Sequence, residues 1–151
     1  MKILHTDGGH ADFVELCRQL DLNLDEIVGG RIQREKYAPF NKIDDINDAV
    51  VLYVDGTAVA GGGLRRIDGT TAEIKRIFVP PEFRGRGYSK ILMRELEERA
   101  RRLGCSRLIL ETGRILAASV GLYRSVGFAE IENYGPYKGM NESLCMGKVI
   151  G

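Results

Sequence analysis

The stretch "IKRIFVPPEFRGRGYSKILMRELEERARRLG", Ile74 to Gly104, decides how this chain is read. It opens on a β-rich apolar run, breaks at Pro80-Pro81, passes through a loop with two arginines and two glycines, and enters a helical pattern. From Tyr88 to Leu103 the period places Ile91, Leu92, Leu96, Ala100 and Leu103 on one face. Glu95-Arg99, Glu97-Arg101 and Glu98-Arg102 are spaced to support the exposed side, and Gly104 is the expected terminator. At a strand-to-helix junction, free backbone N–H groups point out of the helix start and the dipole favours negative charge. Glycine permits close approach of a phosphate, and arginine adds charge-assisted bonds. Taken alone, Arg84-Gly85-Arg86-Gly87-Tyr88-Ser89-Lys90 is therefore either a pyrophosphate cradle or a solvated turn. It contains neither GxxxxGK[ST] nor a full GxGxxG, so nucleotide-hydrolase and dinucleotide readings lack support.

Upstream, "AVVLYVDGTAVAGGGLRRIDGTTAEIKRIFV" reads as three β-rich runs separated by two Asp-Gly turns, Asp55-Gly56 and Asp68-Gly69, an antiparallel meander. A first helix is expected over Phe13 to Ile27, with Asp12 as its N-cap. Residues 29–45, "GGRIQREKYAPFNKIDD", read as a short helix and a loop, a candidate lid over one end of the fold. Downstream, "SRLILET" is a short buried strand, "LAASVGLYRSV" a helix, and "GFAEIEN" and "SLCMGKVI" two last strands. The order describes one mixed α/β domain over residues 1–151, without a repeat or a linker.

Composition bounds the function. The chain has 151 residues, enough for a core that needs no staples, with 44% hydrophobic and 28% charged residues, as in ordinary soluble domains. A net charge of +1 provides no global field toward nucleic acid or an anionic membrane, so anion recognition must be local. Cys17, Cys105 and Cys145 are odd in number and form no CxxC pair, so neither a disulfide framework nor a zinc site is suggested. Together with the absence of a signal-peptide pattern or a membrane-length apolar run, this fits a cytoplasmic protein. His5 and His10 are too isolated to suggest a metal.

The Ile74–Gly104 stretch, followed by "LILETG" and "LYRSVGF", resembles the GNAT superfamily of acyl-CoA-dependent N-acetyltransferases. The family's Arg/Gln-x-x-Gly-x-Gly/Ala pattern reads here as Arg84, Gly87 and Ser89, and its Leu-Tyr-x-x-x-Gly-Phe box as Leu122, Tyr123, Gly127 and Phe128. "LETG", "YGPY" and "SLCM" resemble a bacterial branch of it. The resemblance implies the GNAT fold, a mixed and mostly antiparallel sheet of six to seven strands flanked by about four helices. It also implies acetyl-CoA as co-substrate, no metal, and an amine acceptor.

By that resemblance, the main chain of Ile77, Phe78 and Val79 would bind the pantetheine arm like an added strand. The pyrophosphate would sit on the N–H groups from Arg84 through Gly85, Arg86, Gly87 and Tyr88 to Ser89, with Lys90 or Arg86 for the 3′-phosphate. Tyr123 falls at the family's general acid, its alternative being a packed helix tyrosine. Glu73 falls at the base of some members; base, anchor for a substrate ammonium and plain exposed strand residue are its three readings. Strand alternation would put Glu73, Lys75, Ile77 and Val79 on one face, and Ala72, Ile74, Arg76 and Phe78 on the other. Glu111 would orient the substrate or pair with an arginine such as Arg76 or Arg114. Leu116 stands where many members carry a pantetheine-holding Asn, with Ser119 downstream as a substitute contact. Tyr134 and Tyr137 would line an acceptor pocket or pack at the surface.

The resulting expectation is direct acetyl transfer to a primary amine of a small molecule or peptide. The rivals are a protein or peptide acetyltransferase and a CoA-sensing module without turnover. No nucleic-acid or membrane partner is expected, and the sequence leaves open a monomer or a homodimer.

Overall fold

The computed structural model describes residues 1–28, 43 and 45–151, so the expected short helix and lid lie outside the described residues apart from Ile43 and Asp45. The chain begins with a strand, β1 (Lys2–Thr6), that sequence reading misses. Five residues are too few to show an alternation, and as an edge strand β1 keeps most of its side chains exposed. Helix α1 (Ala11–Val28) follows. Its cap is His10, whose Nδ1 accepts the Asp12 N–H at 3.2 Å and whose carbonyl accepts that of Val14 at 3.0 Å. Asp12 is therefore inside the first turn, where it accepts the Tyr53 hydroxyl at 2.6 Å.

Strands β2 (Asp48–Val54) and β3 (Thr57–Arg66) join through Asp55-Gly56, with φ of 50° and 79°, the backbone a two-residue hairpin needs. The second Asp-Gly behaves differently. Asp68 turns its carboxylate back onto the N–H groups of Thr70 and Thr71, both within 2.9 Å, and β4 (Thr71–Phe78) starts after a four-residue loop, 67–70. Helix α2 (Tyr88–Arg102) has the expected face and stops at Gly104, φ 87°. Its Glu97–Arg101 and Glu98–Arg102 pairs form, at 3.5 and 4.0 Å, but Arg99 leaves Glu95 for Asp48 at 2.7 Å. Strand β5 (Arg107–Gly113), helix α3 (Ala117–Ser125), the short β6 (Ala129–Ile131) and β7 (Ser143–Val149) complete the chain.

The seven strands lie in the order β1-β2-β3-β4-β5-β7-β6, antiparallel throughout except for β4 against β5. Three α-helices are seen among the described residues, against about four expected. Each face of the sheet has its own core. α1 presses Phe13, Leu16, Cys17 and Leu20 onto Ile46, Ala49, Val51 and Phe78. α2 and α3 press Leu92, Leu96 and Tyr123 onto Val50, Leu52, Leu64, Ile74, Leu108 and Leu110.

Gly61-Gly62-Gly63 in β3 lets both layers approach. A Cβ at Gly61 would stand 2.7 Å from Leu16 Cδ1, one at Gly63 2.6 Å from Ile46 Cγ2, and one at Gly62 would collide with Ile77 and reach Leu96 at 3.2 Å. Gly62→Ala is expected to cost about 1–3 kcal/mol by overpacking. Urea unfolding checks this, and a midpoint equal to that of wild type would refute the close-approach reading.

The sheet splits where the site lies. β4 and β5 pair only at Thr71–Arg107, Ala72–Leu108 and Glu73–Ile109 and then diverge. On its other side β4 carries a bulge, its register against β3 slipping between Gly61–Phe78 and Gly63–Lys75 around Arg76, which has a φ of 62°. The extra residue breaks the expected alternation. Ile77 joins Ile74 in the α2 core, and Phe78 crosses to the α1 core on the side of Lys75, opposite Gly63.

Candidate active site

The α2 start is built for an anion. Gly85 and Gly87 sit at φ 79° and 82°, and a Cβ on either would meet nothing within 4 Å, so it is the backbone that requires glycine. Gly87 caps α2 without a side-chain hydrogen bond, and Ile91 is the first residue to bond back, to the Gly87 carbonyl at 3.2 Å. Among the described residues, the N–H groups from Gly85 to Lys90 have no backbone acceptor. Successive amides in alternating hands, at a helix N-terminus, form a concave anion site.

The arginines here have different duties. Arg84 folds back, its Nε donating to the Val79 carbonyl at 2.8 Å and its Nη2 to Asn23 Oδ1 at 3.1 Å, with the guanidinium 5.7 Å from the Phe78 ring centroid. It braces the loop against β4 and α1, and its main-chain N–H is also taken, by the Pro81 carbonyl at 3.3 Å, so the amides open to a phosphate begin at Gly85. Arg86 lies exposed, 5.9 Å from the Phe83 ring centroid, and Lys90 is exposed as well.

A cleft of about 410 Å³ runs from this loop along the end of β4. Ile77, Phe78, Val79, Arg84, Gly85, Gly87, Tyr88 and Ser89 line one wall, and Leu116, Ser119, Leu122 and Tyr123 of the α3 region the other. Asn23, Leu24 and Ile27 close it from α1, a contribution that no sequence signal marked. A smaller cavity of about 60 Å³ lies in the strand opening, lined by Glu73, Lys75, Ile77, Glu111, Tyr123 and Tyr137 among others. Ile77 and Tyr123 border both spaces. Ser119 thus lines the cleft, whereas Tyr134 bears on the smaller cavity through Glu73.

Glu73 is only 2% exposed, which removes its reading as a plain exposed strand residue. Its Oε2 accepts the Tyr134 hydroxyl at 2.5 Å, while Oε1 lies 3.4 Å from Arg65 Nη1 and 3.8 Å from Lys75 Nζ. Burial is the leading cause that lowers the Lys75 ammonium below its usual range, and Glu73 opposes it. Glu111 does not find the arginine expected for it. Arg76 goes to the Cys17 carbonyl and Asp21, both at 2.9 Å, and Arg114 goes to Glu130 at 3.2 Å. Glu111 instead hydrogen-bonds Ser143, and burial raises its carboxyl, with Glu73 adding to the rise.

Tyr123 is 8% exposed, edge-on to Phe128 at 6.1 Å, and among the described residues its hydroxyl has no protein partner. Burial, then Glu111, pushes its phenol well above the ordinary value. Tyr134 and Tyr137 stand edge to face at 5.6 Å, their phenols raised chiefly by burial and then by Glu73. Both belong to a loop clasped by Asn133, whose Nδ2 donates to the carbonyls of Tyr137, Met140 and Ser143 at 3.1, 3.0 and 3.3 Å. Arg65 and Asn133 escaped the sequence reading; only the position of Asn133, just ahead of a Gly-Pro loop, could have signalled it.

Residues 18–128 match the family model described as acetyltransferase (GNAT) family. The chain belongs to the GNAT family. It is 40% identical over 96 residues to the IAA acetyltransferase of Azospirillum brasilense, a match covering 63% of either chain, so it spans just under two thirds of that relative. Among solved structures, a Klebsiella pneumoniae protein assigned to the acyl-CoA N-acyltransferases superposes with a TM-score of 0.82 at 24% identity, over 99% of this chain and 97% of that one. The PaiA N-acetyltransferase of Thermoplasma acidophilum, solved with coenzyme A, gives 0.72 at 20% identity, over 99% of both chains. At these identities the superpositions show the fold, and the GNAT architecture expected from the sequence holds. In this GNAT domain no group of three or more His, Cys, Asp or Glu among the described residues could hold a metal ion. No helix described is long and apolar enough to cross a membrane.

Proposed function

We propose that this GNAT domain transfers acetyl from acetyl-CoA directly to a primary amine of a small molecule or peptide. The observation that carries the reading is the meeting of two cavities at Ile77 and Tyr123, just where the parallel β4–β5 pair opens. The larger one suits an extended thioester. Amides from Gly85 to Ser89 would hold its pyrophosphate, the Arg84 N–H being taken by Pro81, with Lys90 or Arg86 for its 3′-phosphate and the main chain of Ile77, Phe78 and Val79 for the pantetheine. Val79 remains able to accept, because a carbonyl has two lone pairs and Arg84 takes one. Ser119 would replace the missing asparagine contact near Leu116. Tyr123, protonated at neutral pH, offers an O–H donor to the departing sulfur.

The smaller cavity is only about 60 Å³ and is lined by two carboxylates, Glu73 and Glu111, a size and charge that support a primary ammonium as the acceptor. Tyr134 and Tyr137 would form the acceptor wall. Cys17, Cys105 and Cys145 are all free and buried, which supports a cytoplasmic setting. Thiol release from acetyl-CoA over a panel of alkylamines, polyamines, amino acids and N-terminal peptides is the test, with calorimetry of CoA binding alongside. Turnover on at least one amine is expected. Tight CoA binding with no thiol release on any of them would leave a sensing module, and no CoA binding at millimolar ligand would sink both readings.

A further inference from the structure

The smaller cavity contains two carboxylates, and their surroundings assign them different work. Both oxygens of Glu73 are taken, one by the Tyr134 hydroxyl and the other by Arg65 and Lys75. Glu111 lies across the opening on β5, shares the cavity with Tyr123, and among the described residues hydrogen-bonds one side-chain hydroxyl, that of Ser143. A carboxylate so placed keeps an oxygen for an incoming N–H.

We propose that Glu111, and not Glu73, takes the proton from the acceptor amine, and that Glu73 is a positioning residue that holds Tyr134 and with it the acceptor wall. The assignment rests on the acetyltransferase reading above and settles which carboxylate serves it. Glu111 takes a proton from the substrate ammonium and frees the nitrogen lone pair. That pair attacks the acetyl carbonyl carbon, the N–C bond forms, and the C–S bond breaks with its electrons going to sulfur. Tyr123 gives its proton to the sulfur and regains one shed by the new amide nitrogen. Glu111 releases its proton to solvent, so an ammonium and a thioester become an amide, a thiol and one proton.

The groups facing Glu111 are Glu73 and Lys75 from β4, Tyr123 from α3, Tyr137 from the 133–143 loop, Glu142 just ahead of β7, and Ser143 and Cys145 on β7. Burial is the main cause that holds its carboxyl above the ordinary range; Glu73 and Glu142 add to it, and Ser143 and Lys75 oppose it. A carboxylate raised in this way is a stronger base than an ordinary one, nearer in proton affinity to the amine it must deprotonate.

The test compares wild type, Glu111→Gln and Glu73→Gln by thiol release from acetyl-CoA with ethylamine, an ammonium at neutral pH, and with hydroxylamine, already neutral there. With ethylamine, Glu111→Gln is expected to lose about 10²–10³-fold in kcat/KM and to flatten the acid limb of the pH profile. Hydroxylamine should restore roughly tenfold or more of that loss, because it needs no deprotonation before attack. Glu73→Gln is expected to keep the acid limb and act mainly on the KM for ethylamine. An intact acid limb in Glu111→Gln, or its disappearance in Glu73→Gln, overturns the assignment while leaving acetyl transfer standing. Wild-type enzyme that binds CoA but releases no thiol with either amine overturns the parent reading, and this one with it.

A second readout needs no turnover. A carboxyl whose proton is held more tightly in the fold than in the unfolded chain contributes stability at low pH that is lost as pH rises through the folded value. Relative to wild type, Glu111→Gln should therefore gain more in Tm at about pH 8 than at about pH 4.5. An equal difference at both overturns the picture of a desolvated Glu111.

Discussion

Phenylalanine at position 123 is expected to lower kcat about 10²–10³-fold while changing KM and CoA affinity by no more than about threefold. The substitution removes one oxygen and little else. The ring keeps its edge contact with Phe128 and its place in the α2-side core. The hydroxyl has no protein partner among the described residues, so its loss leaves no orphaned donor or acceptor in the protein. Stability should be close to that of wild type, because Tyr123 borders both cavities and its hydroxyl is not among the buried, unsatisfied polar atoms. A phenol raised by burial is a weak acid, so the hydroxyl contributes when the C–S bond breaks and thiolate charge develops beside it. Steady-state kinetics on any amine that turns over will check this. Unchanged kcat would return Tyr123 to the role of a packing residue and favour a binding module.

Valine at both Gly85 and Gly87 is expected to weaken CoA binding by about 30- to 1000-fold in calorimetry, or ~2–4 kcal/mol. Each substitution places a branched side chain at a left-handed φ, 79° or 82°, at a cost of roughly 1–2 kcal/mol per residue. Nothing obstructs the added Cβ at either position, so the loop relieves its strain by turning its amides, not by repacking. The disposition of the N–H groups is then lost along with their common focus. The rest of the domain should keep its melting cooperativity, because neither glycine touches a core. Unaltered affinity would mean that the phosphates sit elsewhere.

What could be read from the sequence was what depends on solvent. The α2 face, its Gly104 stop and the Asp55-Gly56 hairpin follow from period and turn chemistry, and they stand as expected. Glu95 and Arg99 had the spacing of a helix pair, but a strand residue, Asp48, offered Arg99 a closer partner, which no helical spacing reveals. Glu73 kept three readings, base, ammonium anchor or exposed strand residue, because its neutralising groups, Arg65 on β3 and Tyr134 some sixty positions downstream, converge only in the folded sheet. Glu111 misled in the opposite direction: the nearby arginines were already committed to Asp21 and Glu130. The proposed cofactor loop is written locally, whereas the proposed acceptor side is assembled from β3, β4, β5, α3 and the 133–143 loop. That difference is why the cradle was legible and the acceptor pocket was not.

The bulge at Arg76 makes β4 count like a reading frame. One surplus residue, in a backbone conformation that glycine would adopt more readily, transfers every side chain beyond it to the opposite layer. Deleting Arg76 would remove the bulge and restore simple alternation with Ile77 still toward α2 and Phe78 still toward α1, but it would shorten the strand by one residue and draw its end back from the cleft, whereas inserting a residue would swap the two layers. The strand should therefore tolerate changes of side chain far better than changes of length, and among related chains this segment should accept substitutions while refusing insertions and deletions.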